Sequence, residues 1–122
     1  MDEHSPEPVF SQPKAEEIIG CIVLIGVTML DHEGKLVRQW QFYGEVLKAD
    51  AVEGITVLLH GLRSGETYVL PPSTSAFVPA ERGCYTLRTT REEVHDPDYL
   101  VHLTMRQRQQ QGGGGWDYWF DL

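Results

Sequence analysis

The fold is decided by the stretch QFYGEVLKADAVEGITVLLHGLRSGETYVLPP, which is residues 41–72. Apolar and polar residues alternate in three runs within it, the two-residue period of a β-strand with one buried face. Gly54 lies between the first two runs, and Gly61 and Gly65 lie between the second two, where glycine can adopt the positive φ of a chain reversal. The stretch therefore predicts a three-stranded β-meander.

The residues before this meander predict two more features of the sheet. Residues 18–30 are apolar on both alternating faces, which is typical of a central strand buried on both sides. The sequence DHEG, residues 31–34, predicts a hairpin loop that returns the chain into a long second strand. Gly44 lies among large side chains of that strand, which indicates a sharp bend or a close backbone approach, as at a barrel corner. The core-facing side of this strand is predicted to comprise Leu36, Trp40, Phe42, Gly44 and Val46.

The residues after the meander predict short strands at 84–88 and 99–105, with a turn at 96–98. Five to six short antiparallel strands in sequential order, with no convincing helix, predict an all-β fold. Because closure removes exposed strand edges, we expect a small closed or half-open barrel. The predicted organisation is a disordered acidic arm at 1–17, a barrel domain at 18–105, and a linker with an aromatic peptide at 106–122.

The net charge of −8 bears on the choice of partner. Binding to a phosphate backbone draws its affinity from Lys and Arg, so we expect no nucleic acid and favour a basic protein partner. The most apolar run contains 13 residues, fewer than the roughly 18 that a membrane helix needs, and no secretory signal is visible. We therefore expect a cytoplasmic protein without a membrane partner.

A family resemblance rests on short motifs spread along the chain. They are Gly26-Val27-Thr28, Phe42-x-Gly44, Asp50, Gly54-Ile55, Leu70-Pro71-Pro72, Gly83-x-Tyr85-x-Leu87-Arg88 and Asp96-Pro97-Asp98. Over residues 18–105 the chain resembles small, uncharacterised bacterial domains with an SH3-like or Sm-like barrel. The resemblance implies that barrel but no activity, and residues 68–72 (YVLPP) stand where Sm proteins carry their RNA-contact motif.

No catalytic constellation is evident in the sequence. Phosphate-loop, nucleophile-elbow and zinc spacings are all absent, so we expect no enzyme activity, no cofactor and no metal. Cys21 and Cys84 are predicted to be buried free thiols, with a bridge as the alternative. A small enzyme or metal-binding protein remains a further alternative, and it would use His60, His102 or Cys84.

The C-terminal end is the most distinctive stretch. Four glycines, residues 112–115, precede seven residues that include four aromatic side chains. Exposed in water, these side chains would form an apolar patch that soluble monomers rarely tolerate. The predicted partner-binding residues are Trp116, Asp117, Tyr118, Trp119, Phe120, Asp121 and Leu122. Two alternatives stay open: the segment folds back over an edge of its own barrel, or it is an appended segment foreign to the protein.

These observations favour a non-enzymatic protein-binding module. It would present an acidic barrel surface and the aromatic C-terminal peptide to a protein partner or to another copy of itself. Residues 92–98 add a group of carboxylates, Glu92, Glu93, Asp96 and Asp98, expected to be a solvated edge or a docking edge. An immunity-type inhibitor of a basic toxin or nuclease is the alternative that fits the charge. A long second strand also makes a homo-oligomer plausible.

Overall fold

A computed structural model of the protein describes the backbone of residues 9–109 and 116–121 and the side chains of residues 9–106. The described chain is predominantly β-structure, with one α-helix and two short 3-10 helices, Gly61–Arg63 and Thr74–Ala76. In chain order the elements are α1 (Gln12–Ile18), β1 (Ile22–Leu30), β2 (Leu36–Asp50), β3 (Gly54–Leu59), β4 (Thr67–Leu70), β5 (Phe77–Pro79), β6 (Cys84–Thr86), β7 (Glu93–His95), β8 (Tyr99–Gln109) and β9 (Trp116–Asp121).

The strands form one seven-stranded sheet and one two-stranded sheet. The main path of the large sheet is β4-β3-β2-β1-β8-β5, with β9 also paired to β8, and the small sheet is β6-β7. The predicted meander is confirmed, because β1, β2, β3 and β4 pair antiparallel in sequence order. The prediction that β1 is a central strand is also confirmed, because β2 and β8 lie on its two sides.

The prediction of antiparallel strands in sequential order is wrong at β8. This strand pairs parallel to β1, from Val23 opposite Tyr99 to Leu30 opposite Arg106. An alternating apolar pattern is the same in either direction, so the sequence of β8 does not show which way the strand runs. The long path of the chain between β1 and β8 permits the parallel direction, which a short turn would not.

The large sheet of the described residues has one edge at β4 and another formed by β5 and β9, rather than a closed ring of strands. The all-β prediction therefore holds in its coarser form, a predominantly β fold, and the SH3-like or Sm-like barrel is not confirmed. Edge strands can be protected by being short, and β5 has only three residues paired with β8.

The sheet is covered on both faces. The larger core includes Val23, Ile25, Phe42, Val57 and Leu103, all at most 2% exposed. On the other face Leu24 packs with Leu87 and Val94, which the β6-β7 hairpin and its flanking chain bring over the sheet. Phe42 and Val46 point into the core as predicted, whereas Leu36 is 60% exposed, because it lies at the start of β2, beyond the described core.

Gly44 makes the close backbone approach that the sequence predicted. A Cβ atom at this position would overlap the carbonyl oxygen of Leu58 on the neighbouring strand β3. Two residues further, the register between β2 and β3 shifts between Val46 and Lys48, which leaves an irregularity at Leu47. The middle of β2 is thus a place where only glycine fits, although no barrel corner is formed.

Helix α1 corrects the prediction of an arm through residue 17 and of a chain without a helix. Ser11 caps the helix by accepting a hydrogen bond from the Lys14 amide, and a proline lies in the first turn. Ala15 and Ile18, three residues apart on one helix face, are buried. The polar composition of this segment predicted that the entropy cost of ordering it would exceed the gain from burial. Packing of this helix face against the sheet offsets that cost. Residues 1–8 of the predicted arm lie outside the described residues.

The remaining boundaries differ in detail from those predicted. Strand β8 continues to Gln109 instead of ending at Met105, because β9 pairs with its last six residues. Both cysteines are free as predicted, but Cys21 is only half-buried and Cys84 is exposed. Within the described ranges no helix has the length and hydropathy to span a membrane.

Candidate binding pocket

An apolar pocket of about 560 Å³ opens on the face of the sheet that carries the β6-β7 hairpin. Its floor comes from the parallel pair β1 and β8, whose register places Leu24 beside Leu100 and Gly26 beside His102. Alternation along each strand keeps these four residues on one face. A pocket of this size with apolar walls and few polar groups is the usual form of a ligand site.

The imidazole of His102 lies over Gly26. A Cβ atom on that glycine would be 3.1 Å from His102 Nδ1, closer than most side chains approach each other. The bare backbone at Gly26 therefore makes room for the ring at the polar end of the floor. Gln41, on the next strand β2, also lines the pocket, and its Oε1 accepts a hydrogen bond from the Arg88 amide.

One wall of the pocket is Tyr85 of strand β6. Its hydroxyl donates a hydrogen bond of 2.7 Å to the backbone carbonyl of Glu81, which fixes the ring at the base of the hairpin. The buried Val94, directly opposite Tyr85, and Leu87, two residues after it, anchor the hairpin on the sheet. The wall is therefore held by its own packing.

The opposite wall is the segment from Ser73 to Val78. Ser73 and Thr74 are buried, and the Thr74 amide donates to the backbone carbonyl of Val9 at 2.9 Å. The Ser11 amide in turn donates a hydrogen bond to Thr74 Oγ1, also at 2.9 Å. The chain before helix α1 thus braces this wall, while the Val78 side chain on β5 stays 55% exposed at the rim.

Two further depressions adjoin this pocket. The first, of about 110 Å³, shares Gly26, Gln41 and His102 with it. The second, of about 500 Å³, shares Gln41 with the first depression and is lined by the cations Arg38 and Arg63. Arg38 and Trp40 alternate with Gln41 onto the other face of β2, so this second depression meets the other two around the edge of β2 rather than along one face of the sheet.

The cationic depression is built by stacking. The Arg38 guanidinium lies 4.7 Å from the centre of the Trp40 ring, and that of Arg63 lies 5.0 Å from the centre of the Phe42 ring. Arg63 also pairs with Glu66 at 3.0 Å, so part of its charge is already balanced. On an acidic protein, this is a local site suited to an acidic group.

The structure separates the three residues named for an enzyme or a metal site. His60 contacts the Tyr43 ring edge to face, with 6.0 Å between ring centres, and His102 lies in the pocket. Cys84 lies on the hairpin, where its neighbours are Glu93 and His95. Sequence reasoning missed these two partners, although their spacing of two residues places both on one face of a strand.

Neither cysteine has the environment of an activated nucleophile. Burial, followed by the charge of Asp98, raises the pKa of the Cys21 thiol. Desolvation, followed by the charge of Glu93, raises the pKa of the Cys84 thiol. Catalytic cysteines have lowered pKa values, so both shifts run against a thiolate at neutral pH.

The carboxylates of residues 92–98 are mostly engaged within the protein. Asp98 accepts a hydrogen bond of 2.8 Å from the Ile22 amide, and Asp96 accepts one of 2.7 Å from the Gly83 amide. Glu92 accepts one of 2.8 Å from the amide of Leu62. Asp98 thus bonds to the large sheet, Asp96 to the other end of the hairpin and Glu92 to a 3-10 helix, so this group is less a free docking edge than the sequence suggested.

The backbone of the aromatic segment lies against the chain's own sheet. Strand β9 pairs antiparallel with β8, from Thr104 opposite Asp121 to Gln109 opposite Trp116. Strand β5 occupies the same side of β8 nearer its start, opposite Tyr99–Val101. This is the fold-back arrangement that the sequence left open. Leu122, the last of the predicted binding residues, lies outside the described residues.

No protein-family model, curated protein or solved structure matches this chain. The resemblance to small bacterial barrel domains therefore stays a prediction.

Proposed function

We propose that the protein is a non-enzymatic protein-binding module whose main site is the pocket between Tyr85 and Val78. The observation that carries this proposal is the apolar pocket of about 560 Å³ with its polar groups at one end. The pocket would hold an apolar side chain of the partner, and the His102 imidazole and the side-chain NH2 group of Gln41 would set its orientation by hydrogen bonds.

The adjoining depressions support a partner that supplies an extended segment. A segment anchored in the pocket would pass Gln41 and cross the edge of β2, which pairs with β3 only from Gly44 onward, to reach Arg38 and Arg63, where an acidic or aromatic residue would find cations and rings. A small molecule confined to the apolar pocket would leave this second half of the site unused. The combination favours a peptide over a compact ligand.

The second part of the proposal concerns the aromatic segment, Trp116 to Leu122. Backbone pairing of β9 with β8 is the hydrogen-bonding mode of strand addition, in which a peptide extends a sheet edge. The same pairing could be made by the segment of another copy, because identical strands can exchange between copies. The segment would then recruit a partner or a second copy when it leaves its own edge.

The pocket is tested with two matched substitutions. Val78 and Val69 are both strand valines, 55% and 53% exposed, but only Val78 lines the pocket. Val78→Trp should fill the pocket and abolish capture of specific cellular partners, as measured by quantitative mass spectrometry of pull-downs. Val69→Trp should capture the same partners as the native chain. Equal capture by both variants would overturn the role of the pocket.

The aromatic segment is tested with a chain that ends at Gln111. The described buried apolar residues run from Ala15 to Leu103, so this shortening leaves the described core intact. Loss of a specific partner, or half the native mass by light scattering, would support recruitment or exchange by the segment. Unchanged partners and an unchanged mass would show that the segment only covers the edge of β8 in its own chain. Capture that disappears at moderate salt would favour the inhibitor of a basic protein.

A further inference from the structure

The outer face of the β6-β7 hairpin carries three different metal-binding side chains. Cys84 lies directly opposite His95 across the two strands, and Glu93 precedes His95 by two residues on the same face. The residues between them, Tyr85 and Val94, point to the opposite side and pack against the sheet. The hairpin is therefore anchored on one face and presents sulfur, nitrogen and oxygen donors on the other.

The ligand atoms of this cluster are close enough to share one ion. All three lie within 4.8 Å of one another, and Glu93 Oε1 is 3.7 Å from His95 Nε2. Tetrahedral coordination with bond lengths of about 2.0–2.3 Å needs ligand atoms roughly 3.3–3.8 Å apart. The side chains are exposed, so small rotations of Cys84 and Glu93 would close the difference without moving the backbone.

We propose that Cys84, Glu93 and His95 bind a divalent zinc ion on the outer face of the hairpin. A thiolate and an imidazole select a borderline-soft transition metal over Mg²⁺ or Ca²⁺, which prefer oxygen ligands. Zinc is four-coordinate, so water or a group from a bound partner would take the fourth position. The thiolate and the carboxylate together neutralise the charge of the ion.

Zinc at this position would add a link between the two strands of the hairpin. The small sheet pairs only three residues of each strand, and a metal bridge between Cys84 and His95 would hold them in register. The site differs from the metal-dependent alternative drawn from the sequence, because His60 and His102 take no part. It also departs from the expectation that the chain holds no metal.

The test is a calorimetric titration of the untagged full chain, reduced with a phosphine, using ZnCl₂ as the probe. We expect one site, with affinity lowered at least tenfold in both Cys84→Ser and His95→Gln, since loss of even a supporting group costs a metal site about that much. Cys21→Ser is the matched thiol control. His32→Gln is the matched imidazole control, because His32 Nε2 also lies 3.7 Å from a glutamate, Glu33, but the described three-residue cluster does not include it. Both controls should bind zinc like the native chain.

Cobalt provides a second readout that does not depend on affinity. Co²⁺ should produce a thiolate charge-transfer absorption band in the native chain and in Cys21→Ser, and none in Cys84→Ser. Zinc affinity within twofold of native in both Cys84→Ser and His95→Gln would overturn the proposal. Native zinc affinity weaker than about 100 μM would overturn it as well, because so weak a site would lie far from structural zinc affinities.

Discussion

Replacing Gly44 with alanine should destabilise the protein through a clash with backbone rather than with a side chain. A Cβ atom at Gly44 would overlap the Leu58 carbonyl oxygen and lie 2.9 Å from both the Leu58 carbonyl carbon and Leu59 Cα. Carbon atoms pack best at about 3.5–4.0 Å, so strand β3 would have to move by roughly 0.6–1 Å. That movement would also strain the adjoining hydrogen bond of 2.9 Å from the His60 amide to the Tyr43 carbonyl.

The expected cost follows from these two effects. Overpacking costs about 1–3 kcal/mol, and weakening one backbone hydrogen bond adds about 1 kcal/mol. Alanine also reduces the entropy of the unfolded chain, which offsets about 0.4–1 kcal/mol. We therefore expect Gly44→Ala to lower the free energy of unfolding by about 1–3.5 kcal/mol. With an m value of about 1.5–2 kcal/mol/M, the urea midpoint should fall by roughly 0.5–2.3 M.

Gly26→Ala is the matched control, because it is also a strand glycine without a positive φ. Its Cβ atom would meet the His102 ring, which is exposed and can rotate away, so we expect a change within about 1 kcal/mol. Urea unfolding followed by circular dichroism measures both variants. An unchanged midpoint for Gly44→Ala, or an equal loss in Gly26→Ala, would refute the close-approach reasoning.

Three further predictions concern single polar side chains. Asp98→Ala removes the acceptor of the first amide of β1 and should cost about 1–2 kcal/mol in urea unfolding; an unchanged midpoint would contradict that role. Hydrogen bonds from the backbone, that of Glu53 first, hold the pKa of Asp50 below its usual value, so Asp50 adds stability above the unfolded pKa of about 3.9. This stability is lost as pH falls through the folded pKa. Asp50→Asn should therefore lose less stability than the native chain between about pH 5 and 2, as measured by urea unfolding at each pH. Stability curves that run parallel for the two proteins over this range would argue against a lowered pKa. Iodoacetamide at neutral pH, followed by peptide mass spectrometry, should label the exposed Cys84 before the half-buried Cys21, and the reverse order would show that burial does not control access.

The neighbours of His102 and Cys84 could not be predicted from the sequence. His102 and Cys84 were named as alternative residues for an enzyme or metal site, but the residues around each of them were not predicted. The structure places His102 over Gly26, 76 residues earlier in the chain, and Cys84 beside Glu93 and His95. The apolar pocket is lined by residues from five separate segments of the chain, and no local sequence pattern predicts that these segments come together.

The sequence alone determined the features that depend on neighbouring residues. The meander from β1 to β4, its turns and the close approach at Gly44 were all predicted, because alternation and glycine requirements are local. Helix α1 was also within reach, since Ser11 and the buried pair Ala15 and Ile18 carry its capping and spacing signals. The acidic, proline-containing composition of the surrounding segment outweighed those signals.

Only the tertiary structure decided the features that join distant parts of the chain. The parallel pairing of β1 with β8, the pocket and the Cys84, Glu93 and His95 cluster all depend on which strands become neighbours. An alternating strand has the same pattern in either direction and beside any partner, so its sequence does not determine its neighbours. The burial of two sheet faces at once decides between these arrangements, and that is a property of the whole chain.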